Sequence, residues 1–142
     1  MALVHTKLEP PYLQRNEDDF AIVRKIAECD HDGPVLMLNM NRYKSGSGFP
    51  DSGDYKRYMD GLGKFLEGAG AKLLWRFPVH GQAVGEQKVH ELIACWYPFH
   101  KIFLNLYQAP GAEENFRLKG ICVEYAVIHR CPGDRAPFAP GK

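Results

Sequence analysis

The sequence predicts an α+β fold in which helices cover one face of a four-stranded antiparallel sheet. Strand-length runs and amphipathic stretches follow one another in the order β-α-β-β-α-β, which is the split βαβ arrangement. A further helical stretch precedes them. With 142 residues, of which 45% are hydrophobic, the chain has the size of one domain that can bury a core without disulfides or a metal.

Four segments have the pattern of strands. Residues 35–41 are an apolar run between a Gly-Pro pair and a turn-rich segment, as expected of a buried strand. Residues 71–80 and 91–97 suit a sheet with two different faces, and the two glycines in residues 81–90 let these strands pair as a hairpin. Residues 121–129 form the predicted last strand. Within residues 71–80, strict alternation places on one face Leu73, Trp75, Phe77 and Val79.

Three segments have the spacing of amphipathic helices. The strongest periodicity runs over residues 54–69 and is followed by glycines that end a helix. Pro98 opens a second helix, because proline is tolerated in a first turn. An earlier helix begins at Asn16, whose side chain can cap it. The apolar stripe after Pro98 contains Phe99, Ile102, Phe103 and Leu106.

The predicted organisation places one domain between two terminal segments. Residues 1–15 contain a Pro-Pro pair and no clear period, so we expect an arm on the surface. An accessory helix occupies residues 16–32, the domain proper residues 33–131, and a Pro/Gly-rich tail residues 132–142. Residues 44–54 are rich in Gly and Ser, and we expect a mobile loop there because glycine loses much entropy on ordering.

Charge and cysteine usage narrow the class of protein. Eighteen Lys and Arg balance seventeen Asp and Glu, so no strong field attracts nucleic acid or an anionic membrane. No apolar stretch approaches the roughly 20 residues of a spanning helix. Without a signal-peptide pattern or a CxxC pair, we expect reduced thiols in the cytoplasm. Of the four cysteines, Cys95 and Cys122 lie in apolar runs and are expected to be small buried hydrophobes, unlike Cys29 and Cys131.

The face of the sheet that the helices leave uncovered is predicted to carry large apolar side chains. A solvated sheet face seldom does so, and pairing with a second copy of the chain would bury them. We therefore expect a homodimer formed through sheet faces. The residues assigned to this face are Trp75, Phe77, Ile93 and Tyr125.

A series of short motifs resembles the uncharacterised bacterial family called domain of unknown function 1330, over about residues 33–131. The motifs are PVLMLNMNRYK at 34–44, DYKRY at 54–58, GAKL at 70–73, a strand ending in Gly81, YPFHKIFL at 97–104 and FRLK at 116–119. The resemblance implies a ferredoxin-like fold of the dimeric α/β-barrel superfamily, in which two sheets pack face to face. That superfamily includes cofactor-independent monooxygenases, lactone isomerases, haem enzymes and proteins without known activity, so the resemblance implies fold more than chemistry.

Asn39 interrupts an apolar strand and matches the asparagine of the family's first-strand motif. A buried amide needs hydrogen-bond partners, and without them it costs about 1 to 3 kcal/mol. We predict that Asn39 is catalytic, polarising a carbonyl of the ligand. The alternative is that its amide ties the strand to the adjoining loop.

Several arginines and tyrosines are predicted to converge at one end of the sheet. Guanidinium groups and phenols suit a carboxylate or an enolate, through forked hydrogen bonds and ring contacts. The alternative is that the tyrosines begin the core stripe of their helix and that the arginines are solvated. The predicted catalytic residue of this set is Arg117, and the predicted ligand-binding residues are Arg42, Tyr43, Tyr55 and Tyr58.

Histidines supply the remaining candidates. His80 is a candidate catalytic base and His100 a candidate base or ligand-binding residue, because imidazole titrates near neutrality, although a surface location is the alternative. The six histidines contain no HxH or HxxxH pair, so we predict no metal site. The KSGSG loop lacks a GK[ST] ending, and GxSxG, HExxH and dinucleotide motifs are missing, so no cofactor is predicted.

Two classes of function follow. The first is an enzyme without a tightly bound cofactor that performs oxygenation, isomerisation or proton transfer on a small aromatic or polyketide-like acid. The second is a non-catalytic dimeric module that binds a small ligand or a partner. A pocket in which the named polar groups converge would favour the enzyme, whereas scattered groups bonded to backbone would favour the module.

Overall fold

The computed structural model describes residues 15–135 of the chain. One helix precedes a β-α-β-β-α-β unit whose second helical segment is divided into three short pieces. The elements are α1 (Glu17–Glu28), β1 (Val35–Tyr43), α2 (Gly53–Gly68), β2 (Lys72–Pro78), β3 (Glu91–Tyr97), α3 (His100–Leu104), a 3₁₀ turn (Leu106–Gln108), α4 (Ala112–Cys122) and β4 (Val123–Pro132).

The sheet has four antiparallel strands in the order β2-β3-β1-β4 and is open, which confirms the predicted fold class. β1 and β3 pair in a register that places Asn41 opposite Glu91 and Val35 opposite Tyr97. The inward face of these central strands packs against α2 and α4 and forms the core with them. The buried residues of this core include Met37, Tyr58, Leu62, Leu66, Ile93, Tyr97, Leu118 and Val123.

A bulge in β2 changes which side chains share a face. The pairing with β3 shifts between Leu73 and Trp75, because Leu74 is an extra residue. Trp75 and Phe77 therefore lie on the open face, whereas Arg76 joins the helix-covered face beside Ile93. The prediction that side chains alternate strictly between the two faces along residues 71–80 is therefore wrong at Leu74. The assignment of Ile93 to the open face is also wrong, because Ile93 is buried in the core.

The second half of the chain contains a helix that periodicity did not predict. Instead of one helix after Pro98, the chain forms α3 and a 3₁₀ turn and then begins α4 after Gly111, whose φ of +87° suits glycine. Because Ile121 is still helical, the last strand begins at Val123, later than predicted.

Residues 44–54 form an ordered series of turns rather than a loop without structure. The amide of Ser47 donates to the carbonyl of Lys44, and the amide of Ser52 donates to that of Gly48 at 2.8 Å. The carbonyl of Ser47, a buried residue, accepts a hydrogen bond from the amide of Tyr55 at 2.8 Å. These bonds fix the segment over the first turn of α2.

The ends of the described chain are attached to the domain. A forked ion pair joins Arg130 of β4 to Asp19 of α1, with N–O distances of 2.7 and 3.0 Å. The indole N–H of Trp96 donates to the carbonyl of Gly133 at 2.8 Å, just beyond β4. The predicted arm at 1–15 lies almost wholly outside the described residues, as do residues 136–142 of the predicted tail.

The environment of the cysteines and the apolar character of the helices can be compared with the expectations from the sequence. Cys95 and Cys122 are buried, as expected, and burial raises the pKa of these thiols to about 12 and about 11. Within residues 15–135, no helix has the length and apolar character needed to cross a membrane.

Candidate functional site

A buried carboxylate, that of Glu91, is the centre of a polar cluster on the helix-covered face of the sheet. Glu91 is only 4% exposed. The hydroxyl of Tyr43 donates to its Oε1 at 2.7 Å, and the hydroxyl of Tyr55 donates to its Oε2 at 2.9 Å. The guanidinium of Arg76 donates to both Oε2, at 3.2 Å, and the oxygen of Tyr55, at 2.9 Å. Charge-assisted bonds of this kind satisfy a carboxylate that burial would otherwise destabilise.

Four elements bring the Glu91 cluster together. Glu91 is the first residue of β3, and Tyr43 is the last residue of the neighbouring strand β1. Tyr55 comes from the first turn of α2, which residues 44–54 hold in place. Arg76 reaches the cluster from β2 because the bulge turns it toward the helices. The cluster therefore depends on strand register as well as on residue type.

The phenols of the cluster are hydrogen-bond donors at neutral pH. Burial, reinforced by the charge of Glu91, raises the pKa of both Tyr43 and Tyr55 above the usual phenol value. The pKa of Tyr58, deeper in the core, is raised mainly by burial as well. Neutral phenols beside Glu91 can therefore stabilise a negative charge without carrying one.

Asn41 fixes the direction of the Tyr43 hydroxyl. Its Nδ2 donates to the oxygen of Tyr43 at 3.2 Å, so the hydroxyl proton is directed to Glu91. Asn41 is 2% exposed, and its Oδ1 has no hydrogen-bond partner among the described residues. An unpartnered buried oxygen is unfavourable and uncommon in folded proteins, so this oxygen is free to accept a hydrogen bond from a ligand or a water molecule.

Arg76 connects the cluster to the surface. Its side chain is 36% exposed, compared with 5% for Glu91. It lines a groove of about 560 Å³ between α2 and the edge strand β2. Other residues that line the groove are Met59, Asp60, Lys64, Glu67, Lys72 and Leu73. Of the four cluster residues, the lining of this groove includes Arg76 alone.

An aromatic group covers the cluster on the side of residues 44–54. The ring of Phe49 stacks on Tyr43, with 5.0 Å between centroids, and meets the edge of Tyr55 at 4.9 Å. It also stacks on the imidazole of His90 at 5.0 Å. His90 Nδ1 accepts a hydrogen bond of 2.9 Å from the backbone amide of Tyr43. Burial lowers the pKa of His90, and nearby Arg42 lowers it further.

The structure brings two of the predicted ligand-binding residues, Tyr43 and Tyr55, into one cluster. Tyr58 lies in the adjoining core. Arg42 is next to Tyr43 but pairs with Glu124, at 3.7 Å. The Nδ2 of Asn39 donates to the carbonyls of Met37 and Ile93 at 3.3 and 3.5 Å and to the thiol of Cys95. These partners belong to β1 and β3, so the amide joins two strands and does not tie β1 to the adjoining loop.

The structure does not bring His80, His100 and Arg117 to the Glu91 cluster. His80 is exposed beyond the end of β2. The Nδ1 of His100 lies 3.0 Å from Asp32, whose carboxylate also accepts from backbone amides at the start of α3. Arg117 makes a forked ion pair with Glu114, one turn earlier on the exposed surface of α4.

Sequence reasoning did not predict four residues of this site. Glu91 and Arg76 belong to the cluster, and Asn41 and His90 each make a hydrogen bond with Tyr43. A signal for Glu91 was present: it occupies the inward position of a strand whose next inward residues are the buried Ile93, Cys95 and Tyr97. A charge at such a position requires partners. No group of three or more metal-binding side chains occurs within residues 15–135.

The comparisons with known proteins agree with the fold and leave the chemistry undefined. No protein-family model matches the chain, and no curated protein has a similar sequence. A protein of unknown function from Rhodopseudomonas palustris is 23% identical, with a TM-score of 0.65 over 82% of this chain and 92% of that one. A DABB family protein with a ferredoxin-like fold from Mesorhizobium loti is 15% identical, with a TM-score of 0.53 over 70% of this chain and 96% of that one. The chain therefore has the ferredoxin-like α+β fold.

Proposed function

We propose that the protein is an acid–base enzyme that moves a proton on a small aromatic or polyketide-like acid, with Glu91 as the base. We also propose that it belongs to the family called domain of unknown function 1330, which its motifs resemble, and that it acts in the cytoplasm. The observation that supports the activity is a buried carboxylate bonded to two neutral phenols and to an arginine that lines a groove. Groups of this type are common in sites that transfer protons.

The chemistry requires no redox step. The acid group of the ligand binds Arg76 from the groove, as guanidinium groups bind carboxylates. Glu91 takes a proton from the carbon beside the carbonyl, and the electron pair moves onto the carbonyl oxygen as an enolate. Once Glu91 is protonated, the hydroxyls of Tyr43 and Tyr55, which donate to it in the resting site, turn to donate to the enolate oxygen. Glu91 then returns the proton to the same or a neighbouring carbon. The net result is isotope exchange or isomerisation, with all atoms conserved.

The proposed activity can be tested by proton exchange. Enolisable aryl-acetic and β-keto acids are incubated with the protein in D₂O, and loss of the C–H signal is followed by NMR. We expect exchange with the wild type and a rate at least about 100-fold lower with Glu91→Gln, since a positioned general base contributes about 10² to 10⁴. Glu114→Gln, on the exposed surface of α4, is the matched control and should exchange normally. Equal rates for Glu91→Gln and wild type would contradict the role of Glu91.

A non-catalytic dimeric module is the second candidate, and the open face of the sheet supports its dimeric character. Phe77 is 56% exposed and lies 5.0 Å from the ring of Trp75 on this face. Burying such a patch against a second copy is favourable by roughly 25 cal/mol per Å² of apolar surface. We propose that the protein is a homodimer that pairs through this face, which is compatible with either function.

Light scattering checks the dimer. At micromolar concentration we expect about twice the chain mass of 16.1 kDa for the wild type and the single-chain mass for Phe77→Asp. Phe99→Asp, at an apolar residue 49% exposed just before α3, should remain dimeric. A wild type that scatters as a single chain would refute pairing through the sheet.

A further inference from the structure

Residues 44–54 close over the Glu91 cluster through one side chain, that of Phe49. Its ring contacts both phenols that bond Glu91, at centroid distances of 5.0 Å to Tyr43 and 4.9 Å to Tyr55. Glycines with positive φ bracket Phe49 on the turns of this segment, at Gly48 (+96°) and Gly53 (+64°). The position of one ring thus decides whether this side of the cluster is covered.

The imidazole of His90 holds Phe49 from the other side. The two rings stack with centroids 5.0 Å apart and planes 28° from parallel. His90 is itself held by the backbone amide of Tyr43, which donates to Nδ1 at 2.9 Å. Nδ1 must therefore be unprotonated in this arrangement. A protonated imidazole has no acceptor, and its Nδ1–H would face the N–H of Tyr43.

We propose that residues 44–54 are a pH-controlled lid on the Glu91 site, held closed by neutral His90 and released when His90 is protonated. The inference rests on the proposed function only in taking the Glu91 cluster as the site. The coupling between His90 and Phe49 does not depend on what the site binds.

The charges around His90 favour the neutral form in the closed lid. Burial lowers its pKa first and the guanidinium of Arg42 on β1 second, while Glu124 on β4 opposes them. Arg42 and Glu124 are 3.7 Å apart and so partly cancel each other. The other titratable groups near the ring are those of Glu91, Tyr43 and Tyr55.

The sign of the pH dependence follows from proton counting. The closed lid binds fewer protons than the open one, because the ring of Phe49 adds to the burial that lowers the pKa of His90 from its ordinary 6.5. Closure is therefore strongest above that value and is lost as the pH falls below it. At one pH unit below 6.5, about ten open molecules carry a protonated His90 for each neutral one, so closure weakens by at most about tenfold.

Hydrogen–deuterium exchange of the full chain, followed by mass spectrometry, tests the lid without any ligand. Protection of peptides from residues 44–54 is measured at about pH 7.5 and 5.5 and corrected for the intrinsic exchange rate. We expect wild-type protection to fall by up to about tenfold at the lower pH. His90→Asn keeps an oxygen near the place of Nδ1 and does not titrate, so its protection, although lowered by loss of the stacked ring, should be the same at both pH values. Phe49→Leu should be poorly protected at both.

Three results would overturn the lid: equal wild-type protection at the two pH values, an equal loss in His90→Asn, or protection that increases at low pH. The last would mean that a charged imidazole stacks on Phe49 more strongly than a neutral one. Proton exchange on a substrate is a separate readout. A pH-dependent lid in a protein without turnover would preserve this inference and reject the enzymatic role, and turnover with a pH-independent lid would do the reverse.

Discussion

Glu91→Ala is expected to lower the free energy of unfolding by about 3 to 5 kcal/mol, because removing one member of a buried charged cluster leaves its partners unsatisfied. The hydroxyls of Tyr43 and Tyr55 would each lose their acceptor inside the core, and an unsatisfied buried donor costs about 1 to 3 kcal/mol. Arg76, which is 36% exposed, can turn to water and adds less. Urea denaturation followed by circular dichroism measures the change.

Two further variants serve as controls for the stability change in Glu91→Ala. Glu91→Gln keeps an acceptor for one phenol and should lose less stability than the alanine variant. Glu114→Ala removes an exposed carboxylate that is bonded to Arg117 and should unfold close to the wild type. A Glu91→Ala protein within about 1 kcal/mol of the wild type would show that the carboxylate is not needed by the phenols.

Gly48→Ala is expected to disrupt the lid and to destabilise the protein by about 2 to 3 kcal/mol, through left-handed strain and a steric clash together. Gly48 has a φ of +96°, and a Cβ there would clash with the carbonyl oxygen of Ser52. That carbonyl belongs to the backbone and cannot move without breaking the turns before α2. Phe49, the next residue, would then leave its place on Tyr43. Thermal denaturation and exchange of residues 44–54 measure both effects.

Gly46→Ala is the matched control for Gly48→Ala. Gly46 has a similar φ of +100°, but nothing lies within 4 Å of the position of its Cβ. The control should therefore cost only the left-handed strain, about 1 kcal/mol. Equal effects of the two substitutions would mean that the close packing at Gly48 does not hold the lid.

The fold could be predicted because its elements have strong periodicities. The apolar run of β1 and the helical stripe of α2 bury one face each, and their order leaves few topologies. α4 was missed because two of its buried positions are Ala112 and Asn115, which do not read as a hydrophobic stripe. The bulge at Leu74 was missed because one inserted residue reverses the faces of a strand without changing its composition.

The candidate site could be predicted only in part, because its contacts depend on register. Tyr43 and Tyr55 were identified from residue type and from their position beside a strand end and a helix start. Glu91 and Arg76 meet them through pairings across three strands, which no local pattern contains. Arg117 is an equally plausible guanidinium in sequence, yet it lies on the exposed side of α4.

The measurement that tests the central claim most directly is calorimetric titration of small aromatic acids into the wild type, Arg76→Met and Arg24→Met. The claim is that acids bind at the groove through Arg76. We expect the acids to bind the wild type. Their affinity for Arg76→Met should be at least about tenfold weaker, since a hydrogen bond to a charged group contributes about 1.5 to 3 kcal/mol. Arg24→Met, on the exposed surface of α1, should bind them as the wild type does. Binding that is equally strong in Arg76→Met would contradict the assignment of the groove and of the Glu91 cluster as the site.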